Sequence, residues 1–123
     1  MPTVAPLDLD GHCLYARFIN GVPFFALADG TIHRLDNGHQ TSEAHDGLLS
    51  ATLSFDGKSL LTGGEDGRVC QTASDGTVTE LAKVPRKWMT AIASGPSGTV
   101  AFASSRSAWV RTSNGKVQEY PQE

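Results

Sequence analysis

The sequence predicts an all-β fold built from three copies of one four-stranded antiparallel unit. Three observations carry this. Tight-turn dipeptides recur along the chain: Asn20-Gly21, Asp29-Gly30, Asn37-Gly38, Asp56-Gly57, Asp66-Gly67, Asp75-Gly76, Ser97-Gly98 and Asn114-Gly115. Glycine accepts positive φ there, and Asn or Asp bonds its own backbone. Helical spacing of apolar residues is absent, and runs such as VPFFALA and TVAFA are apolar on both faces, as in a sheet covered on two sides. The third observation is a repeat. FDGKSLLTGGEDGRV (55–69) matches GPSGTVAFASSRSAWV (95–110) at a shift of 41, placing Gly57 on Gly98. It matches INGVPFFALADGTIHRLD (19–36) at a shift back of 36 or 37, placing Gly67 on Gly30 and Val69 on Ile32. A period in this range, with several short strands per copy, indicates blades of a β-propeller.

The copies are expected over residues 10–44, 45–82 and 83–120 of a single partial propeller domain, 1–123. The second is the most regular. Its strands are expected at Leu48–Ser54, Ser59–Gly63, Gly67–Thr72 and Thr77–Ala82. TVAPLDL (3–9) reads as one more strand before the first copy. The third copy already has a last strand in KVQEY (116–120), so the leading strand suits a blade outside these three.

Composition narrows the function classes. The chain has 123 residues, 39% hydrophobic and 19% charged, with formal net charge −3. That mild value argues against a whole-surface nucleic-acid binder. Charge is uneven, however. Residues 1–82 carry four Lys/Arg against eleven acids, and residues 83–123 carry six against two. No apolar run reaches the roughly 18–20 residues of a membrane span, and the N-terminus lacks the pattern of a signal peptide. Cys13 and Cys70 form no CxxC or disulfide framework and are expected as buried, reduced thiols. These features fit a cytoplasmic protein that binds neither nucleic acid nor membrane.

The second copy, AHDGLLSATLSFDGKSLLTGGEDGRVCQTA, and DGTIHRLD in the first resemble the WD40-repeat β-propeller family. SFDG stands for that family's FSPDG, and LLTGGEDGRV for LASGSDDGTV. The resemblance covers about residues 10 to 120. It implies a hydrogen-bonded network inside a blade, formed by His45, Thr62 and Asp66 in the second copy. The family's Trp-Asp pair is missing, with Thr72-Ala73 in its place in copy two and Ser113-Asn114 in copy three. Phe25 and Ala103 take the Ser/Thr place in copies one and three.

Catalytic signals are lacking. No nucleophile elbow, phosphate loop or Cys/His pair appears. His12, His33, His39 and His45 have no ligand spacing, so they are expected as structural or partly exposed side chains, with no metal and no cofactor. Asp29 and Asp66 are expected to cap turns. The informative segment is KVPRKWMT (83–90). The shift of 41 puts Arg86 on His45, Lys87 on Asp46 and Arg106 on Glu65. In WD40-like propellers those two connections share one end of the ring. Arg86, Lys87, Trp88 and Arg106 are thus expected to cluster there, with Trp109 near. Arginine beside an exposed aromatic is the composition of a protein-binding hot spot.

The expectation is a non-catalytic protein-interaction scaffold with a protein partner. The alternative is a propeller enzyme with a metal in its central channel. Propellers usually close with four to eight blades. Three imply either a piece of a longer propeller or several chains that form a homo-oligomer completing a ring.

Overall fold

A computed structural model describes residues 11–36, 38–104 and 107–121. The leading segment 3–9 and Arg106 lie outside the described residues. Twelve strands form three four-stranded antiparallel meanders. Blade 1 holds β1 (Cys13–Ile19), β2 (Val22–Leu27), β3 (Thr31–Leu35) and β4 (His39–Glu43). Blade 2 holds β5 (Leu48–Leu53), β6 (Ser59–Gly64), β7 (Arg68–Ala73) and β8 (Val78–Lys83). Blade 3 holds β9 (Ala91–Ser94), β10 (Val100–Ser104), β11 (Ser107–Arg111) and β12 (Val117–Pro121). A 3-10 turn at Pro96–Gly98 joins β9 to β10. The first strands β1, β5 and β9 share a groove of about 460 Å3, lined by residues such as Leu14, Leu48, Ala51 and Ile92.

The blades pack face to face, and alternation along each strand decides which side chain goes where. Phe24, Ala26 and Ile32 of blade 1 meet Leu48 and Leu60 of blade 2, with Leu53 and Val78 at the margin. Leu61 and Val69, on the other face of blade 2, meet Val100, Phe102 and Trp109 of blade 3. Each blade therefore has a leading face toward its predecessor and a trailing face toward its successor. Side-chain to backbone hydrogen bonds cross both joints. Ser42 Oγ donates to the Gly76 carbonyl at 2.8 Å. Ser94 Oγ donates to Leu53 at 2.8 Å, and Arg111 Nε to Leu81 at 2.9 Å.

The pairing corrects the repeat alignment in the third copy. The β5–β6 turn is closed by Ser54 N–H on the Ser59 carbonyl, and the β9–β10 turn by Gly95 N–H on Thr99, one residue less. One missing residue flips the facing of everything after it. Ala51, Thr62 and Cys70 lie side by side across blade 2. Their counterparts are Ile92, Phe102 and Trp109 in blade 3 and Ala16, Phe25 and His33 in blade 1. Phe102, not Ala103, therefore takes the Thr62 place. Likewise Thr72 lies opposite Leu60, and Arg111 opposite Val100, so Arg111-Thr112 replaces Ser113-Asn114 as the counterpart of Thr72-Ala73.

The connections between blades dock on the turns before them. The Gly30 carbonyl accepts from Ala44 and His45 N–H, and the Gly67 carbonyl accepts from Val84 N–H at 2.8 Å. Gly67 has φ +77, and a Cβ there would overlap the Val84 carbonyl. Gly57 has φ +74, but its nearest Cβ contact is the Leu53 side chain at 3.8 Å. Gly57→Ala should thus cost only the left-handed strain, about 1 kcal/mol. Gly67→Ala should cost roughly 2–3 kcal/mol, because the connection must also move. Urea unfolding of the two variants checks this, and equal losses would contradict the docking role of Gly67.

Candidate functional site

Two clusters emerge where connections meet turns. The first joins His45, Thr62 and Asp66. His45, just before β5, is held by its backbone bond to Gly30. Its Nδ1 lies 3.0 Å from Asp66 Oδ1, and its Nε2 lies 2.8 Å from Thr62 Oγ. A carboxylate only accepts, so Nδ1 carries the proton and Nε2 accepts from the Thr62 hydroxyl. Asp66 Oδ1 also accepts from Arg68 N–H at 3.0 Å, and Oδ2 from Asp46 N–H at 3.3 Å. Burial raises the pKa of Asp66, but the bonds from His45, Arg68 and Asp46 outweigh it and leave the carboxyl below its usual value. One carboxylate thus caps the β6–β7 turn and fixes a ring on the connection from blade 1. Thr72, where the family has tryptophan, is fully buried, and its hydroxyl finds no partner among the described residues.

Blade 1 carries a different chain on its leading face. Asp29 Oδ1 accepts from the Thr31 hydroxyl at 2.6 Å and from Thr31 N–H at 2.9 Å. The hydroxyl has spent its proton, so it accepts from His33 Nε2 at 2.9 Å. His33 Nδ1 then accepts from His39 Nε2 at 2.7 Å. Protonating His33 would set two N–H groups against each other. Its pKa is accordingly lowered, by burial first and then by His39, with Asp29 opposing. His33 is only 8% exposed. Sequence spacing had set these two histidines apart. The signal that unites them is the β3–β4 pairing, which puts Leu35 opposite His39 and His33 opposite Thr41 on one face. Cys13 is another correction. It is exposed, while Cys70 is buried and its thiol is pushed up to about 11 by burial.

The second cluster is the basic one. Arg86, Lys87 and Trp88 lie on the connection between β8 and β9 and line a shallow recess with Thr90 and Ser104. All three are exposed, Trp88 at 58%. Arg86 adopts φ 67, a left-handed conformation uncommon for a non-glycine residue. It does not occupy a buried place like that of His45. Trp109 is not part of this surface. It is buried, stacked on Phe102 at 5.7 Å between blades 2 and 3. Asp46 and Glu65 are exposed on the preceding connection and turn. Among the described residues, no three His, Cys, Asp or Glu side chains converge as metal ligands, and no helix is long and apolar enough to cross a membrane.

No protein-family model and no curated protein matches the sequence. Solved structures do resemble it. A chain in the crystal structure of the mitotic checkpoint complex superposes with TM-score 0.65 at 17% identity, covering 87% of this chain and 38% of that one. Hsv2 of Kluyveromyces lactis gives 0.63 at 20%, covering 80% and 36%. The dihydro-heme d1 dehydrogenase NirN, in complex with DHE, gives 0.67 at 16%, covering 90% and 28%. The first two are WD40-type propellers. The chain thus spans well under half the length of each structure. At these identities the likeness shows the fold: an all-β chain of three propeller blades.

Three outcomes follow from the two networks. His45→Ala should destabilise by roughly 1–3 kcal/mol, since it leaves Asp66 and Thr62 short of a buried partner. Thr72→Val should stabilise by about 1 kcal/mol, because it removes an unpaired buried hydroxyl while keeping the shape. Chemical unfolding reads both, and a loss in the second case would show that the hydroxyl is satisfied. The third concerns pH. His33 titrates below its ordinary 6.5 in the folded chain, so the unfolded chain binds the proton first. Stability should fall as pH drops below 6.5 and level off under the depressed folded value. His33→Gln should flatten that limb in melts at pH 7.5, 6.5 and 5.5, leaving the carboxylate limb below it; an unchanged slope would place the titration elsewhere.

Proposed function

We propose that the chain is a non-catalytic interaction scaffold whose basic recess docks an acidic peptide or protein segment, in a ring completed by further blades. The observation that carries this is Trp88, exposed between Lys87 and Thr90 on a connection that also exposes Arg86. An exposed indole next to two cations supplies an apolar anchor and a steering field together. The acidic Asp46 and Glu65 on the neighbouring connection and turn favour one orientation of the bound segment.

The likeness to a dehydrogenase as well as to WD40-type propellers means that fold alone does not choose between the two classes.

The experiment uses a synthetic peptide of alternating Glu and Leu and follows tryptophan emission. Docking should shift the Trp88 emission to the blue and weaken steeply with salt. Trp88→Phe should remove the shift. Arg86→Glu with Lys87→Glu should reduce affinity at least about tenfold at low salt and flatten the salt dependence, with the melting curve unchanged. If the charge-reversed variant binds the peptide as tightly as the parent, the recess is an ordinary solvated loop.

A further inference from the structure

The structure assigns a second binding site, in the joint between blades 2 and 3: a cleft of about 310 Å3 that takes a small monocarboxylate with an apolar body. The cleft lies at the end of the blades that carries the β5–β6 and β9–β10 turns, and Trp88 lies on the connection docked at the other end. The two sites share no residue. Both walls belong to this chain. Ser59, Leu61 and Gln71 form one, Val100 and Arg111 the other, and Phe55, 66% exposed, stands at the mouth. Ser94 Oγ on the Leu53 carbonyl and Arg111 Nε on the Leu81 carbonyl hold the walls together.

The joint between blades 1 and 2 shows the same end built from apolar side chains. Strand pairing gives Val22 and Ser59 the same place in β2 and β6, and Ile19 and Ser54 stand opposite them. Ile19 and Val22 pack with Leu53 and Val78 in the apolar cluster of that joint, and Ile19 is fully buried. Blade 2 sets Ser54 and Ser59 in those places. The facing wall changes as well, from Thr72 at the first joint to Arg111 at the second. A joint packs without these polar groups, and bringing them there costs desolvation.

Two of them still have donors to spend. Ser59 is 4% exposed; its Oγ accepts from Gln71 Nε2 at 2.9 Å, and its own proton meets no acceptor among the described residues. With the Gln71 amide turned the other way, Ser59 donates and the amide N–H groups are left over, so either arrangement leaves a donor unspent. Arg111 is half-buried, and beyond the bond from Nε its Nη1 and Nη2 make no hydrogen bond or ion pair among the described residues. A buried donor beside a free guanidinium fork matches the two oxygens of a carboxylate. Asp56 is the acid of the lining. Its Oδ1 accepts from the Ser54 hydroxyl at 2.6 Å and from Lys58 N–H at 3.0 Å. Its charge favours one negative charge on the ligand over the two of a phosphate. Leu61, Val100 and Phe55 offer contact to an apolar body, and the volume, at the lower end for ligand cavities, limits that body to about one ring.

The test titrates hydrocinnamate, a monocarboxylate with a phenyl body, and its neutral amide into the isotope-labelled full chain and follows amide resonances. Hydrocinnamate should move Gly95, Gly98, Thr99 and the Gln71 side chain, and the amide should bind at least about tenfold more weakly. This comparison needs no variant. Arg111→Leu installs the residue that blade 1 carries at that place, Leu35, and Ser59→Val the residue at the Val22 place. Each should weaken hydrocinnamate at least about tenfold. Circular dichroism verifies their sheet content, and if one variant loses it the other decides. Equal binding of acid and amide overturns the proposal, as does acid binding unchanged in a folded variant, or no shift in the joint at about 10 mM acid. Shifts centred on Trp88 place the acid in the basic recess and overturn it too. Tighter binding of inorganic phosphate overturns the single charge. Tighter binding of a peptide ending in a free phenylalanine carboxylate makes a chain terminus the occupant and overturns the small-molecule assignment.

Discussion

Everything in this fold hangs on a backbone contact only a few atoms wide: the carbonyl of a turn glycine receiving the connection to the next blade. Gly30 accepts from Ala44 and His45, and Gly67 accepts from Val84. Both glycines have positive φ, and both lie so close to the arriving chain that a Cβ would overlap its carbonyl. The contact sets where each blade starts relative to the last. Face-to-face burial then follows, because the first strand of a blade leaves its connection already aligned with the trailing face beside it. Apolar area supplies the larger share of the energy, but the glycine contact fixes the offset at which that area meets.

The two internal joints use different chemistry on this common frame. The leading face of blade 2 is partly polar, with Thr62, Cys70, Thr72 and the His45–Asp66 pair. Blade 3 replaces the Thr62 and Cys70 places with Phe102 and Trp109. A polar network inside a joint contributes orientation more than net energy, since desolvation consumes much of what its hydrogen bonds return. An aromatic stack gives burial without that cost. The tight connection of residues 44–47 has the polar version, and the longer connection of residues 84–90 has the apolar one.

The sequence made the turns and the strand count readable because they depend on local chemistry. Every turn glycine paired with Asn, Asp or Ser that marks a hairpin has positive φ, from Gly21 to Gly115. The His45–Thr62–Asp66 grouping was readable through the resemblance of the second copy to the WD40 unit, whose motif spans one connection and one hairpin. What stayed hidden depends on register. A single residue fewer in the β9–β10 turn reverses the facing of Phe102 and Ala103, and a shift of 41 carried through the strand misses it. The His33–His39 contact needs the diagonal of a hairpin, which spacing along the chain does not display. Trp109 reads as near the cluster of Arg86, Lys87 and Trp88 until its pairing with Phe102 places it in the joint between blades 2 and 3.

The exposure of Trp88 is itself a consequence of how the second connection is anchored. Val84 N–H bonds the Gly67 carbonyl, and Met89 N–H bonds the Gly64 carbonyl at 3.1 Å. Met89 is fully buried, and its carbonyl accepts from Ser50 Oγ at 2.8 Å. Gly63 makes room for it, since a Cβ there would come within 2.8 Å of the Met89 side chain. Between these anchors Lys87 N–H bonds the Val84 carbonyl at 3.3 Å, so residues 84–87 close a tight turn. Arg86 turns left-handed to make the bend. A buried methionine thus does for this connection what His45 does for the other, and the turn between its anchors carries Arg86, Lys87 and Trp88 at the surface.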